Sequence, residues 1–319
     1  MLGPELPEAL RRGPFSVSEL RSLGLPRSRL RHGNLVLPTR SVRSTSAVSG
    51  AVNRAAAFAK ALPPDCAFSH VTAAALLGLP LPRVLELQQA LDVIRSTDRP
   101  RIRRRGCIGH RGLESREVLV LRGVRVVGPL DTWVDLGEVL VRGLGVDDLV
   151  VVGDAVANRV PGGVAGLARG LAARVRPRGL EGLTAALHLV RAGVRSPMET
   201  RARLMFHRAG FPEPEVNGQV NDRQGGWLLE GDLVWRAQRV VGEYQGEDHA
   251  DRRRRSIDAQ RVALAAAEGW TLLEIFAEDV HVAPRRRLTL TRFARELHLD
   301  PSGLRIDGTD GTDGAPEPR

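Results

Sequence analysis

The sequence predicts a multidomain protein of the α+β and α/β classes, with an N-terminal winged helix, a middle α+β domain and a C-terminal mixed sheet flanked by helices. Its 319 residues exceed the size of one typical domain. Helical and extended hydrophobic patterns alternate along the last third of the chain. The charge also changes along the chain, because residues 1–195 carry 29 basic and 16 acidic side chains, whereas residues 196–298 carry 16 of each.

The overall composition is typical of a folded globular protein, with 42% hydrophobic and 26% charged residues. No stretch of about 18 consecutive apolar residues occurs, so no membrane-spanning helix and no membrane partner are expected. The first residues lack the continuous apolar stretch of a secretory signal. Only Cys66 and Cys107 are present, which excludes a disulfide-rich scaffold and a four-cysteine zinc site. A cytoplasmic localisation is therefore expected.

The formal net charge is +10, and almost all basic side chains are arginines, because Lys60 is the only lysine. A basic front part joined to a neutral rear part predicts that the front part binds a polyanion. Double-stranded DNA is the partner that we expect.

Residues 1–45 predict a winged-helix DNA-binding domain. The segment ELPEALRR has a helical pattern, and Ser16 with Glu19 has the spacing of a capping box for a second short helix. Gly24 and Pro26 then break the chain before a third helix, PRSRLRH, and this order is that of the helix-turn-helix motif. The extended segment LVLP would form the wing. An alternative is a solvated basic face on a small packing domain. The side chains that the third helix would present to DNA are those of Arg27, Arg29, Arg31 and His32.

The middle of the chain has weaker patterns. Residues 46–160 contain the amphipathic helix FSHVTAAALLGLP, extended runs and two further helical segments, and they predict an α+β domain. Residues 161–195 are rich in glycine and arginine with short helical patches, which predicts a helical connector. The arginine triplet at 103–105 is typical of a solvated strand edge, and a contact with a phosphate backbone is the alternative.

Residues 196–298 show the clearest pattern. The pair Ser196-Pro197 begins a helix that ends at Gly210. Three extended segments, a helix, a fourth strand and a terminal helix follow. The order α-β-β-β-α-β-α is typical of a mixed sheet with helices on its faces. Residues 299–319 form a low-complexity acidic tail that we expect to be disordered.

Two neighbouring strands of this region carry acidic side chains. Because strand residues alternate between the faces of a sheet, Glu243 and Gln245 share one face of RVVGEYQG, and a suitable hairpin register places Asp232 beside them. Two carboxylates at the ends of apolar strands repel each other and resist burial, and a divalent cation removes both penalties. Oxygen ligands of this kind favour Mg²⁺ or Mn²⁺.

The segments GDLVW, VGEYQGEDH and RSIDAQR, followed by GWTLLEIF, resemble the PD-(D/E)XK nuclease superfamily, and more closely the Vsr-like endonucleases within it. The resemblance covers residues 196–298, about a third of the chain. It implies a restriction-endonuclease-like fold and metal-assisted hydrolysis of a phosphodiester. The metal would activate a water molecule and stabilise the developing charge.

The same resemblance implies a set of site residues. The metal ligands of the family correspond to Glu199 on the first helix, Asp232 and Glu243. The residue that assists the nucleophilic water corresponds to Gln245. The histidine after the strand corresponds to His249, which would act as a general acid or base. The acid-x-x-arginine pattern of the next helix corresponds to Asp258 and Arg261, which would support the site.

One residue departs from the family pattern, and two others have simpler interpretations. Gln245 stands where the family usually has a lysine, and no lysine follows Lys60 in this chain. Glu199 lies three residues after Ser196, so a capping box explains it without catalysis. Asp232 follows a glycine that suggests a bulge, so it could be an exposed strand residue.

A second resemblance covers the front half. The segment GPFSVSELRSLGLPRSRLRHGNLVLP resembles the N-terminal winged-helix domain of AbiEi-type antitoxins from abortive-infection systems. The segments SHVTAAALLGLP and VVGPLDTWVDLG are similar to the domain that follows it in those proteins. The resemblance implies operator DNA binding and a context of phage defence. It does not identify a toxin partner.

The sequence therefore predicts a DNA-binding protein with an Mg²⁺- or Mn²⁺-dependent endonuclease domain, active in phage defence or DNA repair. The alternative is a non-catalytic transcriptional regulator of antitoxin type that retains a degenerate nuclease fold. Gln245 favours the regulator, whereas the pair Asp232 and Glu243 favours the enzyme. An RNA nuclease is a third class, which the 4% content of aromatic residues disfavours, because few side chains can stack on unpaired bases.

Overall fold

The computed structural model describes residues 6–31, 34–246 and 262–306, and the chain divides into two compact units between Val190 and Arg191. Both units combine helices with a mixed sheet, so the predicted multidomain α+β class is confirmed. Within the described ranges, no helix has both the length and the apolar sequence needed to cross a membrane.

The α-helices of the two units range from one to four turns. They are α1 (Glu8–Arg11), α2 (Val17–Ser22), α3 (Gly50–Ala59), α4 (His70–Leu76), α5 (Arg83–Glu86), α6 (Pro129–Leu136), α7 (Val146–Ala157), α8 (Gly163–Ala173), α9 (Leu180–Leu189), α10 (Pro197–Ala209), α11 (described over 262–267), α12 (Ala277–His281) and α13 (Ala283–Glu296).

The strands belong to three sheets. They are β1 (Phe15–Ser16), β2 (Val42–Arg43), β3 (Ala67–Phe68), β4 (Leu91–Arg95), β5 (Cys107–Arg111), β6 (Val118–Leu121), β7 (Val124–Val127), β8 (Glu215–Asn221), β9 (Trp227–Trp235), β10 (Val240–Tyr244) and β11 (Thr271–Ile275). Short 3₁₀ helices cover Arg27–Arg31, Leu113–Ser115, Gly137–Arg142 and Pro301–Gly303.

The first unit begins with a small helical module around a two-stranded antiparallel sheet, β1 with β2. The predicted capping box is confirmed at α2, because Ser16 Oγ accepts a hydrogen bond from the Glu19 N–H at 3.1 Å. The Glu19 carboxylate in turn accepts one from the Ser16 N–H at 2.7 Å. The apolar core of the module consists of Leu6, Leu10, Phe15 and Leu20.

The predicted third helix of this module differs from expectation. It is a five-residue 3₁₀ helix rather than an α-helix, and its first main-chain bond runs from the Arg29 N–H to the Pro26 carbonyl. The predicted wing strand is reduced to a single bridge between Val36 and Ser44. The expectation for Arg29 is also corrected, because this side chain is only 7% exposed and lies inside the module, with Nη1 3.5 Å from Asn34 Oδ1.

A five-stranded sheet follows, with strand order β5-β4-β3-β7-β6. Its β4–β5 and β3–β7 pairs are parallel, and its β3–β4 and β6–β7 pairs are antiparallel. Within the arginine triplet 103–105, Arg104 is not a solvated edge residue. Its guanidinium donates to Thr39 Oγ1 and to the carbonyls of Arg40 and Ala61, so it joins the N-terminal module to the rest of the unit.

Helices α6 to α9 complete the first unit. Trp133 on α6 is fully buried, and its Nε1 donates to the Leu149 carbonyl of α7 at 2.9 Å. Residues 161–195, predicted as a connector, contain α8 and α9, where Leu167 and Leu183 are also fully buried. Both helices therefore contribute buried side chains to the first unit.

The second unit contains a four-stranded sheet with the order β11-β10-β9-β8. Strands β8, β9 and β10 form an antiparallel meander, and β11 lies parallel to β10. Helix α10 begins at the Ser196 cap and ends at Gly210, whose φ of 87° is in the left-handed region, as the sequence predicts. Phe206 of α10 packs its ring against Trp235 and Phe293 at 5.0 and 4.7 Å, which joins the helices to one face of the sheet.

Candidate functional site

The strand pair β9–β10 brings together the residues that the sequence analysis singled out. Val241 pairs with Val234 and Gly242 pairs with Leu233. Continuing this register by one residue places Glu243 opposite Asp232. The Tyr244 N–H donates a hydrogen bond to Asp232 Oδ2 at 2.8 Å, which holds the aspartate against the neighbouring strand.

Glu199 lies in the first turn of α10 and is only 8% exposed. The predicted capping interaction is present in part, since Ser196 Oγ accepts from the Glu199 N–H at 3.2 Å. The Glu199 carboxylate does not close a capping box. Its Oε2 instead accepts from the Arg195 N–H at 2.9 Å and from Asn217 Nδ2 at 3.0 Å. Capping therefore accounts for the main chain of Glu199 but not for its side chain.

The electrostatic environment of Asp232 is unusual for an aspartate. Burial is the largest influence and raises its pKa to about 6, although the hydrogen bond from Tyr244 opposes the shift. The carboxylates of Glu199 and Glu230 raise the pKa further, and the charge of Arg195 lowers it. An acidic group with this pKa lies among other acids, so a cation at this place would relieve their repulsion.

A further acidic residue, which the sequence analysis did not single out, belongs to the same region. Glu274 on β11 pairs with Glu243 on β10, so the register places three acidic residues in a row across three strands, starting from Asp232. Gln245 follows β10, is half-buried, and its main-chain N–H donates to the Ile275 carbonyl at 2.8 Å. Only pairing between β10 and β11 reveals Glu274, since nothing in its local sequence marks it.

Gly231 has a different role from the bulge that the sequence suggests. It pairs in regular register with Gly218, and the register shift of this hairpin lies instead between Val220 and Asn221. A Cβ atom on Gly231 would lie 2.3 Å from Val241 Cγ1. Glycine is therefore needed for the close approach of side chains beside Asp232.

The donor set around Asp232 fits a hard divalent cation in its chemistry, because Asp232, Glu243 and Glu199 offer only oxygen atoms. These three carboxylates do not converge as a ready ligand cluster. Three further predicted residues, His249, Asp258 and Arg261, lie outside the described residues, as does His32. The 3₁₀ helix contains Arg27 and Arg31.

A group of side chains in the first unit was missed by the sequence analysis. Among the described residues, His70, Asp92 and His110 are the only three metal-ligating side chains whose ligand atoms all lie within 4.8 Å of one another. His70 begins α4, Asp92 lies on β4 and His110 lies on β5. Because 18 or more residues separate neighbouring members, no spacing in the sequence indicates the cluster.

Comparison with known proteins identifies no family. No family model and no curated protein matches the chain. Among solved structures, the chain is similar to the crystal structure of the Rv2827c protein from Mycobacterium tuberculosis, with 16% sequence identity and a TM-score of 0.37. The match covers 71% of this chain and 89% of that chain.

Proposed function

We propose that the second unit is a metal-dependent endonuclease domain that cleaves double-stranded DNA, on a restriction-endonuclease-like fold of the Vsr-like type. The observation that carries the proposal is the position of Asp232, half-buried on β9, opposite Glu243 in register and electrostatically coupled to the buried carboxylate of Glu199. A packing module gains nothing from acids placed in this way, because their burial and mutual repulsion both cost stability.

Asp232, Glu243 and Glu199 are the proposed ligands of Mg²⁺ or Mn²⁺. Because their oxygen atoms do not converge in the described structure, binding of the cation would have to draw the three carboxylates together. The bound cation would supply activation of a water molecule and stabilisation of the charge that develops on the phosphate. The chain's own contribution is positional. Tyr244 and Asn217 hold Asp232 and Glu199 by hydrogen bonds, which limits the side-chain freedom lost when a ligand binds.

Gln245 and His249 would act on the water and on the leaving group. The Gln245 amide can accept and donate hydrogen bonds, so it can orient a water molecule, but it lacks the positive charge of the lysine usual in the resembling family. His249 would serve as general acid or base, because an unperturbed imidazole titrates near pH ~6.5.

The first unit would hold the DNA through its positive charge. The N-terminal module, proposed as a winged helix, places Arg27 and Arg31 on its 3₁₀ helix, and both are proposed to contact phosphates together with His32. Arg29 is removed from this proposed set because it is buried. Operator binding and a role in phage defence or DNA repair are part of the same proposal.

Binding of the cation is tested first, by melting the full-length protein with EDTA, with Mg²⁺ and with Mn²⁺. A cation that binds only the folded state raises the melting temperature. Asp232→Asn should remove most of this rise, because it deletes one anionic ligand. The matched control is Glu278→Gln, which removes the same charge from an exposed position of the same unit. Equal rises in Asp232→Asn and wild type would contradict the metal site.

Cleavage is tested second, on supercoiled plasmid and on a panel of linear duplexes. Asp232→Asn should abolish nicking and leave DNA binding intact, whereas Gln245→Lys should keep or raise it by restoring the charge near the water. The alternative, a non-catalytic regulator of antitoxin type, is favoured by Gln245. The regulator is supported if the wild-type protein neither binds the cations nor nicks DNA but still slows the migration of duplex DNA in a gel.

A further inference from the structure

The first unit contains a cavity of about 460 Å³ that lies far along the chain from Asp232. This volume falls within the range of about 300–1,000 Å³ that is typical of pockets for small molecules. The cavity is lined by residues of β5, α6 and α8 and by the segments that follow β5 and α8. All of these elements belong to the first unit.

The lining of this cavity is rich in positive charge. Three acidic side chains also line it, those of Asp131, Asp135 and Glu138. Six arginine side chains line the cavity beside these three carboxylates, and the excess of positive charge favours an anionic ligand. The six arginines are Arg101, Arg111, Arg116, Arg174, Arg176 and Arg178.

The three carboxylates fix three of the arginines in place. Arg116 binds both oxygens of Asp135, at 2.8 Å from Nε to Oδ2 and 2.7 Å from Nη2 to Oδ1. Arg174 pairs with Asp135 at 3.1 Å and also with Asp131. Arg178 and Glu138, which complete the set, pair at 2.6 Å. These ion pairs offset the negative charge of the three carboxylates. Those of Arg116 and Arg174, whose side chains are largely buried, restrain the two guanidinium groups before any ligand binds.

The other three arginines carry the excess charge. Arg101, Arg111 and Arg176 are exposed, and none of them has an acidic partner among residues 6–31, 34–246 and 262–306. Exposed guanidinium groups that line a cavity together with paired ones supply the positive charge and the N–H donors that phosphate oxygens accept, since arginine binds phosphate with two parallel hydrogen bonds.

The buried end of the cavity is formed by His70 and His110. Their rings stack with centroids 3.7 Å apart, and their side chains are almost fully buried. His70 has a φ of 48°, a left-handed backbone conformation that costs a non-glycine residue of order 1 kcal/mol and is often found at functional sites. His110 Nε2 lies 2.9 Å from Oδ1 of the fully buried Asp92, which orients the ring.

The surroundings of Asp92 disfavour a cation at the histidines. Its Oδ1 already faces His110 Nε2 and, at 3.1 Å, Arg142 Nη1, and its Oδ2 accepts from Gln88 Nε2 at 3.1 Å. Burial opposes ionisation of Asp92, but the hydrogen bond from His110 and the charges of His70 and Arg142 hold its pKa below the ordinary value. A metal ion bound to Asp92 would have to displace these hydrogen-bond donors and would lie beside the guanidinium group of Arg142. The surroundings of Asp92 therefore suit hydrogen-bond donors better than a metal ion.

We propose that this cavity binds a small phosphate monoester of nucleotide size. The phosphate group would lie between the exposed pair Arg111 and Arg176 and the fixed pair Arg116 and Arg174. The stacked rings of His70 and His110 would close the buried end, because His110 Nε2 faces Asp92 at 2.9 Å and its Nδ1 lies 3.8 Å from Glu138 Oε1. This site is independent of the proposed nuclease centre, because none of its residues belongs to the second unit.

Calorimetry on the full-length protein tests the proposal with AMP, inorganic phosphate and adenosine as probes. AMP should bind at least about tenfold more tightly than adenosine, and inorganic phosphate should compete with it. The double variant Arg111→Ala/Arg176→Ala should weaken AMP binding at least about tenfold, since two charge-assisted contacts are lost. Both side chains are exposed, so the fold should persist, and the melting temperature checks this.

Arg125→Ala is the matched control, because Arg125 is an exposed arginine of the same unit outside the cavity. It should leave AMP affinity within about twofold of wild type.

Four results would overturn the proposal. The first is the absence of binding by both AMP and phosphate, and the second is adenosine binding as tightly as AMP. The third is an unchanged AMP affinity in the double variant. The fourth is a Zn²⁺-dependent rise in melting temperature without any effect of AMP, which would indicate a cation site. A short 5′-phosphorylated DNA duplex that binds more tightly than AMP through the same arginines would replace the small ligand by nucleic acid.

Discussion

The main-chain N–H of Tyr244 donates to Asp232 Oδ2 at 2.8 Å, across the boundary between β10 and β9. This bond occupies one carboxylate oxygen and fixes the plane of the group. It also opposes the rise in pKa that burial causes, yet the pKa of Asp232 still reaches about 6. Ionisation of Asp232 therefore costs free energy of folding, and the hydrogen bond from Tyr244 offsets only part of that cost.

The pH dependence of stability should reveal this cost in the metal-free protein. A carboxyl whose folded pKa is raised from 3.8 to about 6 destabilises the folded state progressively as pH rises from about 4 to 6, and the loss persists above pH 6. Asp232→Asn removes the titration and can still accept the Tyr244 bond. After allowance for solvent screening, we expect the variant in EDTA to be about 1–2 kcal/mol more stable than wild type at pH 8 and equal to it near pH 4. Denaturant melts at both pH values measure this, and a difference independent of pH would contradict it.

DNA binding should depend on salt through the N-terminal module. Each lost phosphate contact lowers the slope of log affinity against log salt concentration by about one. Arg27→Ala/Arg31→Ala should therefore reduce the slope by about two, whereas Arg29→Ala should not change it in protein that remains folded, because Arg29 is buried. Fluorescence anisotropy with a labelled duplex at several salt concentrations provides the measurement. An unchanged slope in the double variant would place the contact surface elsewhere.

The thiols of the first unit should be unreactive in the native state. Burial is the main cause that raises the pKa of both Cys66 and Cys107 to about 11, and the thiolate is the reactive form. Ellman's reagent at pH 8 should therefore react slowly with native protein and rapidly in guanidinium chloride. Cys107 should react before Cys66, because Cys66 is only 5% exposed. Fast stoichiometric reaction without denaturant would contradict this packing.

A glycine in α7 should be sensitive to a single added methyl group. A Cβ on Gly153 would lie 2.5 Å from Val190 Cγ2 and 3.0 Å from Trp133 Nε1. Overpacking costs about 1–3 kcal/mol, which exceeds the gain of up to about 1 kcal/mol in helix propensity, so Gly153→Ala should destabilise the first unit. Gly13→Ala is the control, because a Cβ there would contact nothing within 4 Å. Equal melting curves for wild type and Gly153→Ala would show that the helix can shift.

Local signals were sufficient for much of the second unit. The N-cap at Ser196 and the left-handed Gly210 set the ends of α10, and both are readable because each acts within a few residues of the helix end. The nine-residue strand Trp227–Trp235 also coincides with one of the three extended segments that the sequence predicts after the first helix of this region. In the first unit, the same kind of signal predicted the capping box of α2. It failed for the third helix, where only five residues adopt a 3₁₀ conformation.

By itself, the sequence determined the α+β class and the ends of the clearest helices and strands, and it predicted that a suitable hairpin register brings Asp232 beside Glu243. All of these depend on contiguous residues or on one hairpin. Only the tertiary structure decided that Arg29 is buried and that Glu274 lies beside Glu243. It also decided that the rings of His70 and His110 stack next to Asp92. The physical reason is that burial and charge pairing depend on which distant segments pack together, and residue spacing along the chain carries no record of that packing.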